Sequence, residues 1–492
     1  MQRKFLVNLL LMLSINLMIK PFWIFFIDRK VQNIVGSEAY GLYFAVLNFS
    51  FLFTILLDLG ITNYNSRNIS QNNQLLNKHF SSIVILRLIL ALLYMAIAFT
   101  VGYFVGYDTI HFKMLTFLTL NQFILTFILY LRSNIAGLQL FKTDSLVSVL
   151  DRTVMIIICS ILLWGHVTKT KFQIEWFVYA QTGGYLFTLI VAFFIVVRKA
   201  KFKKLNWNRP FFIMIIKQSF PFALLSLLMM FYNRIDSVML ERLLINGAMQ
   251  AGIYASAFRL LDAINNFSLL FTFLLLPMFS KMIKHKESID ELVKLAITFL
   301  LIPSVIFAVS SFFYGKEIMT LLYPQTKNIE SLSDYSLRLN ESIVVFSILM
   351  WCLIAVSVTY LFGTLLTANG SMKQLNLTAA CGVVINVLLN IILIPRFQAV
   401  GSAWASLITQ AVTAAAQLFL SIKLFRFKIN YRFLILLFLF LSVVILLNVF
   451  AKHLFHRWGI SYLFMISVSV LFAFVIKLID LKSLYKLVVI KE

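Results

Sequence analysis

Phe433-Leu-Ile-Leu-Leu-Phe-Leu-Phe-Leu-Ser-Val-Val-Ile-Leu-Leu-Asn-Val-Phe-Ala451 runs for nineteen residues without a charge. As an α-helix it would be about 28 Å long, close to the thickness of a bilayer's hydrocarbon core. Such stretches recur along the whole chain. They lie at 5–27, 39–63, 80–103, 112–138, 144–164, 172–197, 211–240, 248–279, 292–314, 339–366, 372–394, 400–424, 433–451 and 462–479, about 14 in all. With 61% hydrophobic residues, 13% charged residues and 50 Phe in 492 positions, no water-soluble core could hide this much apolar surface. The alternating short segments of a membrane β-barrel are missing, and lipid offers backbone N–H and C=O groups no partner outside a helix. The sequence therefore predicts an all-α polytopic membrane protein.

Polar residues refine this reading. Met1-Gln-Arg-Lys4 and the apolar run after it lack a small-residue cleavage site, so 5–27 is expected as an uncleaved first span. With the N-terminus cytoplasmic, that side carries about twice as many Lys and Arg as the other, the sense of the positive-inside rule. The densest basic cluster is Arg198-Lys-Ala-Lys-Phe-Lys-Lys204 with Arg209, and a second is Lys423, Arg426, Lys428 and Arg432. Topology and anionic headgroups account for the net charge of +24, and nucleic acid is not an expected partner. Cys159, Cys352 and Cys381 fall in three separate apolar segments and imply no disulfide framework. His453-x-x-His456 by itself does not make a metal site. A P-loop is missing too, which argues against ATP hydrolysis by this chain.

Two local matches point to an internal repeat. Ala39-Tyr-Gly-Leu-Tyr-Phe-Ala45 opens span 2 and Gln250-Ala-Gly-Ile-Tyr-Ala-Ser256 opens span 8, so both give Gly-aliphatic-Tyr. Ala136-Gly-Leu-Gln-Leu-Phe-Lys142 closes span 4 and Ala368-Asn-Gly-Ser-Met-Lys373 closes span 10. Each pair is six spans apart, an even number, which fits parallel repeats about an axis along the membrane normal. The expected organisation is a six-helix lobe at 1–200, a basic cytoplasmic linker at 201–210, a second six-helix lobe at 211–426, and two extra helices with a tail at 427–492.

Charges at membrane depth are costly and mark functional candidates. Within the apolar segments these are Lys20, Asp58, Arg87, Arg132, Asp151, Arg152, Lys217, Arg234, Asp236, Arg259, Asp262 and Lys294. Cations exceed anions among them, and surplus positive charge suits an anionic ligand, above all phosphate. Lys20, just before Pro21, either snorkels to the outer headgroups or faces a cavity. Arg234 and Asp236 diverge on a helix and do not pair with each other, whereas Arg259 and Asp262 are spaced to do so. Asp58 precedes Gly60 and is read either as a partner for Arg67 or as a proton site. Arg132, Asp151 and Arg152 read as interfacial anchors, and Arg87 and Lys294 as snorkelling cations. Pro21 and Pro221 fall in spans 1 and 7, corresponding places in the two lobes, where a kink would let helices bend.

These residues give the chain a family likeness. It resembles the polysaccharide-transport branch of the MOP exporter superfamily, home of Wzx-type flippases, with MurJ lipid II flippases and MATE exporters as relatives. The resemblance rests on Gly41-Leu-Tyr43 through Asp58-Leu-Gly60 to Arg67, and on Pro221 through Arg234-Ile-Asp236. It also rests on Gly252-Ile-Tyr254-Ala-Ser-Ala-Phe-Arg259 with Leu276-Pro277-Met-Phe-Ser280. The last stretch is Ala368-Asn-Gly370, Asn386-Val-Leu-Leu-Asn390, Ile394-Pro395 and Gly401-Ser-Ala403. The resemblance implies two pseudo-symmetric six-helix lobes around a central cavity, plus two C-terminal helices, working by alternating access. Its implied cargo is an undecaprenyl-pyrophosphate-linked oligosaccharide moved across the bacterial cytoplasmic membrane for O-antigen, capsule or another surface polysaccharide. Helices 1, 2, 7 and 8 line the cavity in that family, so Lys20, Arg234 and Arg259 are the expected pyrophosphate contacts. Span 2 offers Asn48 and Asp58 but no mid-span cation, a departure from the lipid II flippases. Asp58, Asp236 and Asp262 are candidates for coupling to H+ or Na+, with no other cofactor expected. Membrane lipids and other polysaccharide assembly proteins are the remaining candidate partners. The rival readings are a MATE-like exporter of small molecules, a membrane glycosyltransferase or polysaccharide polymerase, and a scaffold for glycan assembly.

Overall fold

A chain this apolar satisfies its backbone by closing every hydrogen bond within helices, and among the described residues every regular element is helical. The computed structural model describes residues 15, 16, 18–62, 65, 69, 74–165, 167, 170–200, 209–325, 330–427 and 430–478. After a π-helical segment, Trp23–Asp28, come α1 (Arg29–Leu52), α2 (Ile55–Asp58), α3 (Gln74–Phe104), α4 (Thr109–Gly137), α5 (Phe141–Trp164) and α6 (Ile174–Ala200). Then follow α7 (Arg209–Leu243), α8 (Gly247–Lys284), α9 (Asp290–Leu322), α10 (Leu332–Ala368), α11 (Met372–Phe425), α12 (Tyr431–Leu454) and α13 (Trp458–Val475).

Among the described residues ten of these helices, α3–α7 and α9–α13, are long and apolar enough to cross a bilayer. The expected spans 3–10, 13 and 14 correspond to α3–α10, α12 and α13. Spans 11 and 12 are the two arms of α11, which breaks at Gln398 with φ +53° just after Pro395. Spans 1 and 2 differ from expectation. In place of a connection over 28–38, helix continues from the π-helical segment through Asp28, Arg29 and Lys30, and breaks at Gly36, where φ is +85°. A reading of apolar runs stops at Asp28, yet the fold buries that carboxylate and Tyr40 donates to it at 2.9 Å.

The chain divides into two compact units, Met1–Gly252 and Ile253–Glu492. Most of the basic linker expected at 201–210 lies outside the described residues, and α7 groups with the N-terminal unit. In that unit α3, α4, α5 and α6 share a core that includes Phe80, Ile83, Leu86, Tyr130, Leu131, Val147 and Val196. Helices in lipid gain little from apolar burial and associate through close packing and interhelical hydrogen bonds. Gly41 and Gly252 illustrate the first. A Cβ on Gly41 would run into the Ala248 carbonyl, and one on Gly252 into that of Ser37.

In the C-terminal unit α9, α12 and α13 pack through Ile302, Val305, Tyr314, Phe440, Val444 and Met465. The last two helices are fastened to α9 by polar contacts as well. Tyr314 hydrogen-bonds with Ser461 (2.6 Å) and stacks edge-on against Tyr462, while Lys452 pairs with Glu317 at 3.2 Å.

The repeat read from Gly-aliphatic-Tyr reappears as matched contacts. Tyr43 accepts from Gln181 of α6 (2.8 Å), joining span 2 to span 6. Tyr254 hydrogen-bonds with Ser406 in the second arm of α11 (3.1 Å), joining span 8 to span 12. The two bonds are related by six spans, as the parallel repeat requires.

Candidate functional site

Three charge clusters of the N-terminal unit hold residues predicted from the sequence. The first surrounds Arg234. This half-buried side chain sits late in α7, its guanidinium 5.3 Å from the centre of the Phe51 ring and its Nη1 donating to Asn48 Oδ1 at 3.4 Å. Asn48, itself buried, donates to Ser237 Oγ at 2.8 Å. Span 2 thus supplies an amide and a ring that orient a cation borne by span 7. Asp236, two residues further along α7, is buried.

The second cluster surrounds Lys20. Asn16 donates to Ser148 of α5 (2.9 Å), and the Arg152 guanidinium lies over the rings of Trp23 (5.3 Å) and Tyr185 (5.8 Å). Asn16 and Trp23 therefore lie beside 148–152. Lys20, exposed, is level with the middle of α5, within electrostatic reach of Arg152, Asp151 and Arg132. Its charged neighbours are thus protein groups of α4 and α5. Asp151 stands 3.9 Å from Arg152 Nε, and its second oxygen is buried without a hydrogen-bond donor. Arg132 is taken up by Asp144 through two bonds of 2.8 and 3.3 Å. Arg132, Asp151 and Arg152, read from sequence as interfacial anchors, are joined with these groups in one charge cluster.

The third cluster is closed. Arg87, read as a snorkelling cation, is 1% exposed and paired with Asp58. It also donates to Thr62 Oγ1 (2.7 Å) and to the Thr126 carbonyl (3.0 Å), and lies 4.8 Å from the centre of the Tyr130 ring. Asp58 accepts in addition from the backbone N–H groups of Gly60 (3.1 Å) and Thr62 (3.2 Å). The chain turns here through Leu59 (φ +44°) and Gly60 (φ +80°), left-handed geometry that suits a glycine. Arg67, the other expected partner of Asp58, lies outside the described residues.

Arg259 and Asp262 belong to the C-terminal unit, on α8, and both are half-buried. Asn266 donates to the Asp262 carbonyl one turn further on (2.8 Å). Sequence reasoning missed Asp28 because it lies beyond the first apolar run. It missed the box around Arg152 because Trp23 and Tyr185 read as ordinary span aromatics. A third omission is His111, clasped between Asp108 and Glu241 at 2.7 and 3.0 Å; it sits at the start of α4, where connections carry many polar residues.

Several solved structures share this arrangement of helices. A lipid II flippase MurJ in an inward closed conformation is similar over 97% of this chain and 100% of that one, with a TM-score of 0.67 at 15% identity. An inward-facing multidrug resistance MATE family transporter of the MOP superfamily is similar over 82% and 94%, with a TM-score of 0.61 at 14% identity. A MOP superfamily transporter from Pyrococcus furiosus is similar over 86% and 95%, with a TM-score of 0.58 at 14% identity. At these identities the likeness is one of fold, and it makes the chain a multi-pass membrane protein of the MurJ and MATE architecture. The family follows from sequence: the model of the polysaccharide biosynthesis proteins matches residues 6–283, more than half of the chain, and the chain belongs to that family. No curated protein sequence matches it.

Proposed function

We propose that the protein is a flippase that carries a lipid-linked oligosaccharide, built on undecaprenyl pyrophosphate, across the bacterial cytoplasmic membrane by alternating access. Membership of a polysaccharide biosynthesis family and a fold shared with a lipid II flippase support this reading. The observation that carries it is the pair of held cations in the N-terminal unit: Arg234 braced by Asn48 and Phe51, and Lys20 beside Arg152. A pyrophosphate is too costly to pass through hydrocarbon alone, and ammonium and guanidinium groups replace its lost hydration. In this reading Lys20, Arg234 and Arg259 engage the pyrophosphate, the sugars travel in water, and the polyprenyl tail stays in lipid. Asp236 and Asp262 are the proposed points of H+ or Na+ coupling. Asp58 already serves Arg87, which fits it to hold the inner end of span 2. The N-terminus is cytoplasmic, and the chain works as a carrier rather than an enzyme, for O-antigen, capsule or another surface glycan.

Binding of undecaprenyl pyrophosphate to the purified protein tests the cationic site. The wild type binds it more tightly than undecaprenol, and Lys20→Ala, Arg234→Ala and Arg259→Ala each weaken binding about tenfold, equivalent to about 1.4 kcal/mol. Preference for a cationic dye, untouched by these changes, would instead support a MATE-like small-molecule exporter.

A further inference from the structure

The strongest unassigned cluster lies where the turn between α3 and α4 meets the end of α7. Asp108 caps α4: its Oδ1 accepts from the backbone N–H groups of Ile110 (2.9 Å) and His111 (3.0 Å) and lies 2.7 Å from His111 Nδ1. On the other side of the ring, His111 Nε2 faces two groups, Glu241 Oε1 at 3.0 Å and Arg242 Nη2 at 2.8 Å. Arg242 pairs with Glu241, donates from Nη1 to the Gly106 carbonyl (3.0 Å) and lies over the Tyr107 ring at 4.9 Å. That ring stacks on His111, with centroids 4.8 Å apart and planes 18° from parallel. His111 is 5% exposed and Glu241 8%. Asp108 precedes α4, while His111 lies in the first turn of α4 and Glu241 and Arg242 in the last turn of α7.

The chemistry of the ring makes this arrangement two-state. Asp108 already accepts at a helix N-terminus, where a carboxylate is favoured, and the hydrogen bond from His111 holds its pKa down to about 2. An ionised Asp108 requires the proton on Nδ1. Nε2 then has one donor and one acceptor in reach. A neutral ring accepts from Arg242, and Glu241 gains nothing from it. A protonated ring donates to Glu241, so that both ring nitrogens bond carboxylates. The quartet of Asp108, Glu241, Arg242 and His111 has net charge −1 in the first state and 0 in the second.

We propose that His111 is the proton-binding hub of a latch that ties the end of α7 to the turn before α4, made when the ring is protonated and loosened when it is not. A carboxylate stands at hydrogen-bond distance from each ring nitrogen, Asp108 at Nδ1 and Glu241 at Nε2, and both favour the protonated ring. The latch is thus made at acidic pH, where the ring is protonated, and is lost as the pH rises and the ring gives up its proton. Arg242 lies eight residues beyond Arg234 on α7, about 12 Å along the helix, so the latch controls how firmly that cation's helix is held. On the topology proposed above, this end of the unit faces outward; only that part of the inference rests on the functional reading.

Hydrogen exchange needs no transport and separates the two. On the full chain in lipid nanodiscs, corrected for intrinsic rates, peptides over 104–112 and 238–247 should exchange about fivefold or more faster at pH 8.5 than at pH 6.0, while peptides from α9 to α13 stay unchanged. His111→Asn should remove the difference, and Glu241→Gln should move its midpoint to lower pH. Equal protection of the wild type at both pH values overturns the proposal, as does a pH dependence that survives His111→Asn. Should His111→Asn not fold, an unchanged midpoint in Glu241→Gln overturns it and a lowered midpoint upholds it.

Discussion

Removing Asp58 should harm the protein more than removing Arg87, although the two form one ion pair. The difference comes from burial: the Arg87 side chain is 1% exposed and that of Asp58 25%. In Asp58→Asn a guanidinium stays inside the unit without its counter-charge, left with the neutral amide oxygen, Thr62, the Leu57 and Thr126 carbonyls and the Tyr130 ring. A buried charge stripped of its partner costs about 3–5 kcal/mol. In Arg87→Met the carboxylate keeps the Gly60 and Thr62 N–H groups and some water, and methionine fills most of the space. The loss there is about 1–2 kcal/mol, the strength of charge-assisted hydrogen bonds reduced by solvent. The double variant removes the stranded cation, so it should be more stable than Asp58→Asn by about 2 kcal/mol, a clear positive coupling. Reversible SDS titration of the three variants in mixed micelles, followed by tryptophan fluorescence, reads the order. Arg87→Met as costly as Asp58→Asn, or additive losses in the double variant, would refute the reasoning.

Three further outcomes are expected. Gly41→Ala and Gly252→Ala force a methyl group against a backbone carbonyl and should each cost about 1–3 kcal/mol or more, whereas Gly459→Ala, whose Cβ meets open space, should leave the melting temperature in detergent unchanged. Tyr43→Phe and Tyr254→Phe each break one bond of a repeated pair, and both should lose about 1 kcal/mol in the same titration; a large inequality would count against the structural equivalence of the two bonds. Asn48→Leu should weaken undecaprenyl-pyrophosphate binding while Asn48→Gln recovers part of it, since the amide orients Arg234; equal binding by both variants would deny Asn48 that role.

The architecture was largely readable from the chain because lipid removes most alternatives. A run such as 433–451 has one stable solution, a helix, and the repeated Gly-aliphatic-Tyr marks places where backbones touch and a phenol finds a partner. Asp28 shows where that reading fails. Its charge ends an apolar run, but Tyr40 shields it and the helix continues to Gly36. Arg87 and Arg152 were visible as intramembrane cations, yet their depth alone could not name their partners. Arg87 meets Asp58 from 29 positions away, and Arg152 meets Trp23 and Tyr185 from two other helices. The His111 cluster was hidden more deeply, since Glu241 lies 130 positions from the ring and the residues look like ordinary connection polarity. Hydrophobic periodicity locates helices; it says little about which buried charges face one another.

Leaflet exchange of a fluorescent undecaprenyl-pyrophosphate oligosaccharide in liposomes that hold the purified protein tests the central claim most directly. The account predicts exchange well above protein-free liposomes for the wild type, and about tenfold slower exchange in Arg234→Ala with its fold intact, the loss of one pyrophosphate contact. Wild-type exchange no faster than in empty liposomes, across several glycans and with H+ and Na+ gradients imposed, would contradict it.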